Sequence, residues 1–149
     1  MLIIGIDPGV SGGIGFVWTG FETTRYVHKM PNTDRDFCDL LAKECEGQAA
    51  KAYLEKVGGF IAGKPRPGSS MFKFGQSYGF IRGVLAGLKI PYEEVTPNTW
   101  MKAMQCQTGG DKRISKQKAQ QLFPTLKITN QTADAILIAE YGFRFGHNL

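Results

Sequence analysis

The chain has 149 residues, with 18 basic against 13 acidic side chains, a formal charge of +5 and 42% apolar residues. That length fits one globular domain and excludes two large ones, and the positive balance suits a polyanionic partner, because Lys and Arg near phosphates release condensed counterions. Three cysteines, Cys38, Cys45 and Cys106, form an odd count with no CxxC spacing, which argues against a disulfide framework or a cysteine zinc site.

The apolar start Leu2-Ile3-Ile4 lacks a basic lead-in, and no stretch is long enough to span a bilayer, so a soluble, cytoplasmic protein is expected. Leu2 to Asp7 reads as a buried strand, broken by Pro8-Gly9. Gly12-Gly13 turns into a second apolar run, Ile14 to Trp18, and Thr19-Gly20 leads to a polar third strand near Thr23 to His28. This spacing predicts two antiparallel hairpins. Thr33-Asp34 is suited to cap a helix carrying Phe37, Leu40 and Leu41.

Lys43 to Val57 fits one continuous helix on propensity, although Gly47 weakens it, or a strand over Ala49 to Val57 with Glu55 near its end. Gly58-Gly59 and the segment Gly63 to Gly68, with Pro65 and Pro67, predict a basic loop carrying Lys64 and Arg66. From Ser69 to Leu88 two stripes run together. Met71, Phe74, Tyr78, Ile81, Leu85 and Leu88 form an apolar seam in steps of three and four, while Gly75, Gly79, Gly83 and Gly87 recur every fourth residue. Each interior glycine costs a helix roughly 1 kcal/mol relative to alanine, so four of them imply close approach of something, either the chain's own sheet or another subunit. Pro91 to Val95 reads as a strand, Thr96-Pro97 as a capped helix start, and Gly109-Gly110 as a turn before a basic helix near Lys112 to Phe123. A last helix is expected from about Asn130 to about Phe145, giving an α/β chain with a sheet covered by helices.

Two carboxylates stand out for chemistry. Asp7 ends an almost wholly apolar strand, where it is either a turn former before Pro-Gly or an acid needing a charged partner or metal. Asp134 shares a helix face with Ile138, Tyr141 and Phe145, an apolar face that aims it towards a core or cleft; Glu140 falls off that face and is expected in solvent. Glu55 is a third candidate, readable alone as a surface acid beside Lys51. Three acids brought together repel one another unless cations occupy the site, and two divalent ions can clamp the oxygens of a phosphodiester under attack. His28 and His147 lie far apart with no ligand spacing.

Ile4-Gly5-Ile6-Asp7-Pro8-Gly9 with Gly12 resembles the first catalytic motif of the RuvC-type Holliday-junction resolvases. Tyr53-Leu54-Glu55-Lys56 resembles their second acidic strand, and Lys73 to Gly79 is similar to the family's helix with a Gly-Gln pair, here Gly75-Gln76. Val95-Thr96-Pro97, then Trp100-Met101-Lys102, a glycine turn and Lys116 match the family's order, and Thr132-Ala133-Asp134-Ala135 is similar to its closing motif. The resemblance spans most of the chain. It implies an RNase H-like α/β fold, a central mixed five-stranded sheet with helices on both faces, and Glu55 on a strand. It also implies two Mg2+ ions (replaceable by Mn2+) held by Asp7, Glu55 and Asp134, with Lys116 near the reacting phosphate. The closing motif ordinarily carries a second acidic or metal-binding side chain where this chain has Gln131, which could ligate through its amide oxygen on the face of Asp134; Asp111 is a weaker substitute.

The resemblance further implies a homodimer making paired nicks in four-way DNA junctions, and the 69–88 helix, with its seam and glycine stripe, is the candidate dimer contact. Phe60, Lys64, Arg66, Lys73, Gln76, Lys112, Arg113 and Lys118 are then the candidate DNA contacts. A broader branched-DNA or flap nuclease, a catalytically dead DNA-binding relative and, from another class, an actin-like phosphate-binding ATPase fragment are the competing readings. The last is disfavoured because 149 residues cannot hold two enclosing lobes.

Overall fold

The computed structural model describes residues 1–56 and 68–146. The expected loop, Gly58 to Gly68 with Phe60, Lys64 and Arg66, lies outside the described residues except for Gly68, which opens a helix instead; His147 lies outside them as well. Five strands and five helices are described: β1 (Leu2–Asp7), β2 (Gly13–Thr19), β3 (Thr23–Lys29), α1 (Asp34–Glu44), β4 (Ala50–Glu55), α2 (Gly68–Gly87), β5 (Tyr92–Val95), α3 (Pro97–Ala103), α4 (Lys112–Leu122) and α5 (Ala133–Phe145). The strand reading of the ambiguous segment is correct: Gly47, at φ +70°, lies between α1 and β4, a backbone that a continuing helix does not adopt.

The sheet order is β3-β2-β1-β4-β5. β1, β2 and β3 form the two antiparallel hairpins, whereas β4 runs parallel to β1 and β5 parallel to β4. Side chains alternate across each strand, so the sheet has two buried faces. Leu2, Ile4, Ile6, Ile14, Phe16, Ala52 and Leu54 pack with Phe37 and Leu41 of α1 and Ile81, Val84 and Leu85 of α2. Ile3, Val17, Tyr53 and Val95 face the other way, against α5, α3 and α4. The caps fall where the sequence places them: the Thr33 side chain accepts from the Asp36 amide, and the Thr96 side chain from that of Thr99.

Glycine on the sheet lets α5 approach it closely. A Cβ on Gly15 would sit 2.5 Å from the Ala135 carbonyl oxygen and 2.6 Å from the Ile136 Cα, and one on Gly5 would collide with the backbone at Ala135 and Ala139. Residues Ala133 to Glu140 are all buried as a result. Glu140 is therefore not in solvent, contrary to expectation. Its carboxylate is 1% exposed and accepts from Arg25 Nε at 2.8 Å and Arg144 Nε at 2.7 Å, with the Arg25 guanidinium also over the rings of Phe123 and Phe143. Burial on all sides of α5, not one apolar face, is what encloses its acids.

The α2 glycines behave differently. A Cβ on Gly75, Gly79, Gly83 or Gly87 would meet nothing within 4 Å, so the stripe does not pack on the chain's own sheet among the described residues. The seam on the helix's other side is half-buried at Met71, Phe74 and Tyr78, buried at Ile81 and Leu85, and exposed at Leu88. No described helix is long and apolar enough to cross a membrane.

Replacing Gly15 with Ala should lower stability by about 1–3 kcal/mol, the usual cost of forcing a methyl group into a packed contact. Replacing Gly79 with Ala should not destabilise the subunit, because the added methyl meets open space and removes helix-interior glycine. Urea denaturation of the two variants measures both effects.

Candidate active site

The C-terminal ends of the adjacent parallel strands β1 and β4 carry the first two acids. Ile6 pairs with Leu54 in register, so Asp7 and Glu55 are the next residues along neighbouring strands, on the sheet face that α5 covers. The turn that ends β1 uses Gly9 at φ +104°, a conformation that side chains with a Cβ rarely adopt, and closes through a Gly12 N–H bond to the Gly9 carbonyl. Asp134 lies in the first turn of α5, which the close approach at Gly15 brings down onto the sheet. All three predicted acids therefore meet at one end of the sheet.

Their electrostatics derive from burial. Asp7 is 7% exposed, and its pKa is pushed up to about 8, first by loss of water and then by the charges of Glu55 and Asp134, with the Lys112 charge opposing. Burial similarly raises Glu55 to about 7, against a hydrogen bond from Trp100, with Asp134 raising it further. Cys106 is raised to about 11 by burial and by Asp134. One oxygen of Asp7 (Oδ2) and one of Asp134 (Oδ1) are buried with no hydrogen-bond partner. An orphaned carboxylate oxygen is costly to bury, and binding a cation or accepting from a donor would relieve that cost at each of them. Among the described residues, no group of three or more His, Cys, Asp or Glu side chains stands close enough together to hold a metal ion by itself. Mg2+ does not demand one, since it keeps several waters and commonly takes one or two carboxylates together with substrate phosphate.

The basic residues divide. Lys112, exposed at the start of α4, is the cation whose charge reaches both Asp7 and Glu55; Lys116 lies one turn further on, also exposed. Arg113 is exposed and pairs with Asp111, and the Asp111 side chain caps α4 by accepting from the Arg113 amide, so that acid is already engaged. Lys118 is half-buried, and Lys73 and Gln76 are exposed on α2. Gln131 departs from expectation: it precedes α5 in a turn, half-buried, with its backbone carbonyl oxygen 2.6 Å from where a Gly13 Cβ would sit. It does not share a helix face with Asp134, because α5 begins only at Ala133. Lys51 is likewise not the partner of Glu55; buried in β4, it pairs with Glu93 of β5 at 2.5 Å. The sequence reading missed Trp100 as a contact. Its buried indole Nε1 donates to Glu55 Oε2 at 2.7 Å, and the available signal was that a buried Trp N–H needs an acceptor.

The mixed five-stranded sheet with its helices is an RNase H-like α/β fold. Two solved structures share that fold over nearly their whole length. RuvC of Thermus thermophilus superposes with a TM-score of 0.60 at 16% identity, covering 98% of this chain and 97% of that one. T. thermophilus RuvC in complex with a Holliday junction substrate superposes with a TM-score of 0.63 at 17% identity and the same coverage. No family model matches the chain, and no curated protein matches it. At such identities the likeness is one of fold.

The raised carboxyl pKa values link pH to stability. The folded protein retains protons on Asp7 and Glu55 that the unfolded chain releases, so this contribution to stability is complete below about pH 4. It is lost progressively as pH rises, through about 7 for Glu55 and about 8 for Asp7. In EDTA, Asp7→Asn should therefore melt a few degrees above the unmodified protein at pH 8, with the gap shrinking at pH 5. Excess Mg2+ should raise the melting temperature of the unmodified protein at pH 8 and leave that of Asp7→Asn nearly unmoved. Differential scanning calorimetry checks both.

Proposed function

We propose that the chain is a structure-selective endodeoxyribonuclease that resolves four-way DNA junctions by divalent-cation-dependent hydrolysis of paired phosphodiesters, leaving 5′-phosphate and 3′-hydroxyl ends. The observation that carries this reading is the pair of buried, unpartnered oxygens on Asp7 and Asp134, beside a third acid, in a chain with excess positive charge. The fold likeness to RuvC, including its junction complex, supports the substrate class.

The donors fit Mg2+ or Mn2+ in kind: hard carboxylate oxygens, two of them buried without a partner. Asp7, Glu55 and Asp134 would hold two ions, with Gln131 a neutral neighbour on the turn before α5. When bound, the ions supply activated water and neutralise charge on the scissile phosphate. The chain's own part is to exclude bulk water and to hold three acids on two strand ends and one helix end. Lys112 lies within electrostatic reach of Asp7 and Glu55, where it can also meet an incoming phosphate; Lys116 is a further cation on the same helix. Arg113, Lys118, Lys73 and Gln76 extend the candidate DNA surface, joined by Phe60, Lys64 and Arg66 of the segment outside the described residues.

Paired nicks need two sites, and the open glycine stripe of α2 suits a second copy of this chain. Phe72, 68% exposed, adds apolar area on that helix. The whole chain is read as one nuclease domain acting as a homodimer.

Incubation with synthetic four-way junctions, flaps, Y-forks and linear duplex, in Mg2+ and in EDTA, tests the reading. Cleavage should require Mg2+ and favour the four-way junction, with symmetric cuts; equal cleavage of flaps would move the assignment to a general branch nuclease. Asp7→Asn and Asp134→Asn should each lower the rate by at least about 100-fold while leaving junction binding nearly intact. A wild-type rate in either variant would sink the proposed site. Gly79→Leu combined with Gly83→Leu should convert a dimer into a folded monomer by sedimentation equilibrium. An unchanged mass would assign the stripe no role in association.

A further inference from the structure

Trp100 is fully buried, and its indole N–H donates to Glu55 Oε2 at 2.7 Å. Several elements hold the indole there. Val95, the last residue of β5, is in register with Glu55, and its carbonyl accepts from the Lys56 amide at 2.7 Å. The chain then enters α3 immediately, through the Thr96 cap and Pro97, and the Trp100 amide bonds the Thr96 carbonyl. Trp100 belongs to the same buried cluster as Met104, Cys106, Ala119 and Phe123. The donor is thus fixed before anything binds at the acids.

We infer that Trp100 is a positioning residue: its N–H pins one oxygen of the Glu55 carboxylate, setting the rotation of the group and leaving Oε1 to face the cluster of Asp7 and Asp134. This rests on the cation-dependent reading of the site. The physical ground is that an acid on the end of a strand can rotate freely about its side-chain torsions, whereas one held by a buried donor cannot. Outer partners of this kind commonly change metal affinity by about 10–100-fold when removed. A purely structural role for the bond, satisfying a buried Trp, predicts loss of stability on its removal with no change in cation response.

Two measurements separate these roles. In Trp100→Phe, the Mg2+ concentration for half-maximal cleavage should rise about tenfold, with a smaller change in the rate at saturating Mg2+. Trp18→Phe, on the exposed side of β2, leaves Trp100 as the chain's single indole. Its emission should then shift on titration with Ca2+, read without DNA and without turnover, and Asp7→Asn should weaken that response. If Trp100→Phe folds poorly, β-(3-benzothienyl)alanine at position 100 keeps the ring shape and removes only the N–H; the same tenfold rise is expected. A half-saturating Mg2+ within twofold of the unmodified protein, or a Trp100 emission indifferent to Ca2+ while Ca2+ still raises the melting temperature, overturns the positioning role alone. No cation effect on melting, emission or cleavage in the unmodified protein overturns it together with the nuclease reading.

Discussion

Helix α5 lies directly on the sheet because the strands beneath it lack side chains at the points of contact. Gly5 and Gly15 leave room for backbone to meet backbone, and the first turn of the helix is carried to the ends of β1 and β4. A layer of ordinary apolar side chains between them would lift Asp134 away from Asp7. The acids then interact through protein instead of water, and burial becomes the largest influence on the Asp7 and Glu55 carboxyls. Close packing and charge crowding are two results of one contact.

That helix also separates two ways of burying an acid. Glu140 and Asp134 are both enclosed, at 1% and 7% exposure, yet Glu140 has Arg25 and Arg144 within hydrogen-bond distance while Asp134 keeps an oxygen without a partner. A satisfied ion cluster holds structure. Crowded acids with unfilled bonding capacity are the mark of a site that expects something else. Glu55 stands between these cases, with Trp100 on one oxygen.

Much of the architecture was legible in the residues. Alternation and turn chemistry locate the hairpins, caps locate α1 and α3, and an apolar strand ending in Asp7 points to a buried acid. Glu55 was not legible by pattern alone, since the segment before it suits a helix as well as a strand; only pairing with β1 and β5 decides it. Reasoning from a helical face gives Asp134 an enclosed position, as the structure has it, but misplaces Glu140, because Ala133 to Glu140 are covered on every side and leave no solvent face there. Gln131 was assigned to α5 by spacing, whereas Thr132 bonds back to Thr129 and the helix starts after it. The Trp100 contact joins residues 45 positions apart and depends on where β5 ends, which no local pattern encodes.

The Arg25–Glu140–Arg144 cluster has a consequence for the helix as a mechanical object. One end of α5 is bolted to edge strand β3 by a carboxylate shared between two guanidinium groups, whereas the other end crowds acids against one another. Tension from that repulsion falls on a rod already anchored at its far end, and the sheet contacts at Gly5 and Gly15 lie between the two. The scaffold therefore carries an anchor of its own, made of fully partnered charges, that owes nothing to the crowded acids at the other end.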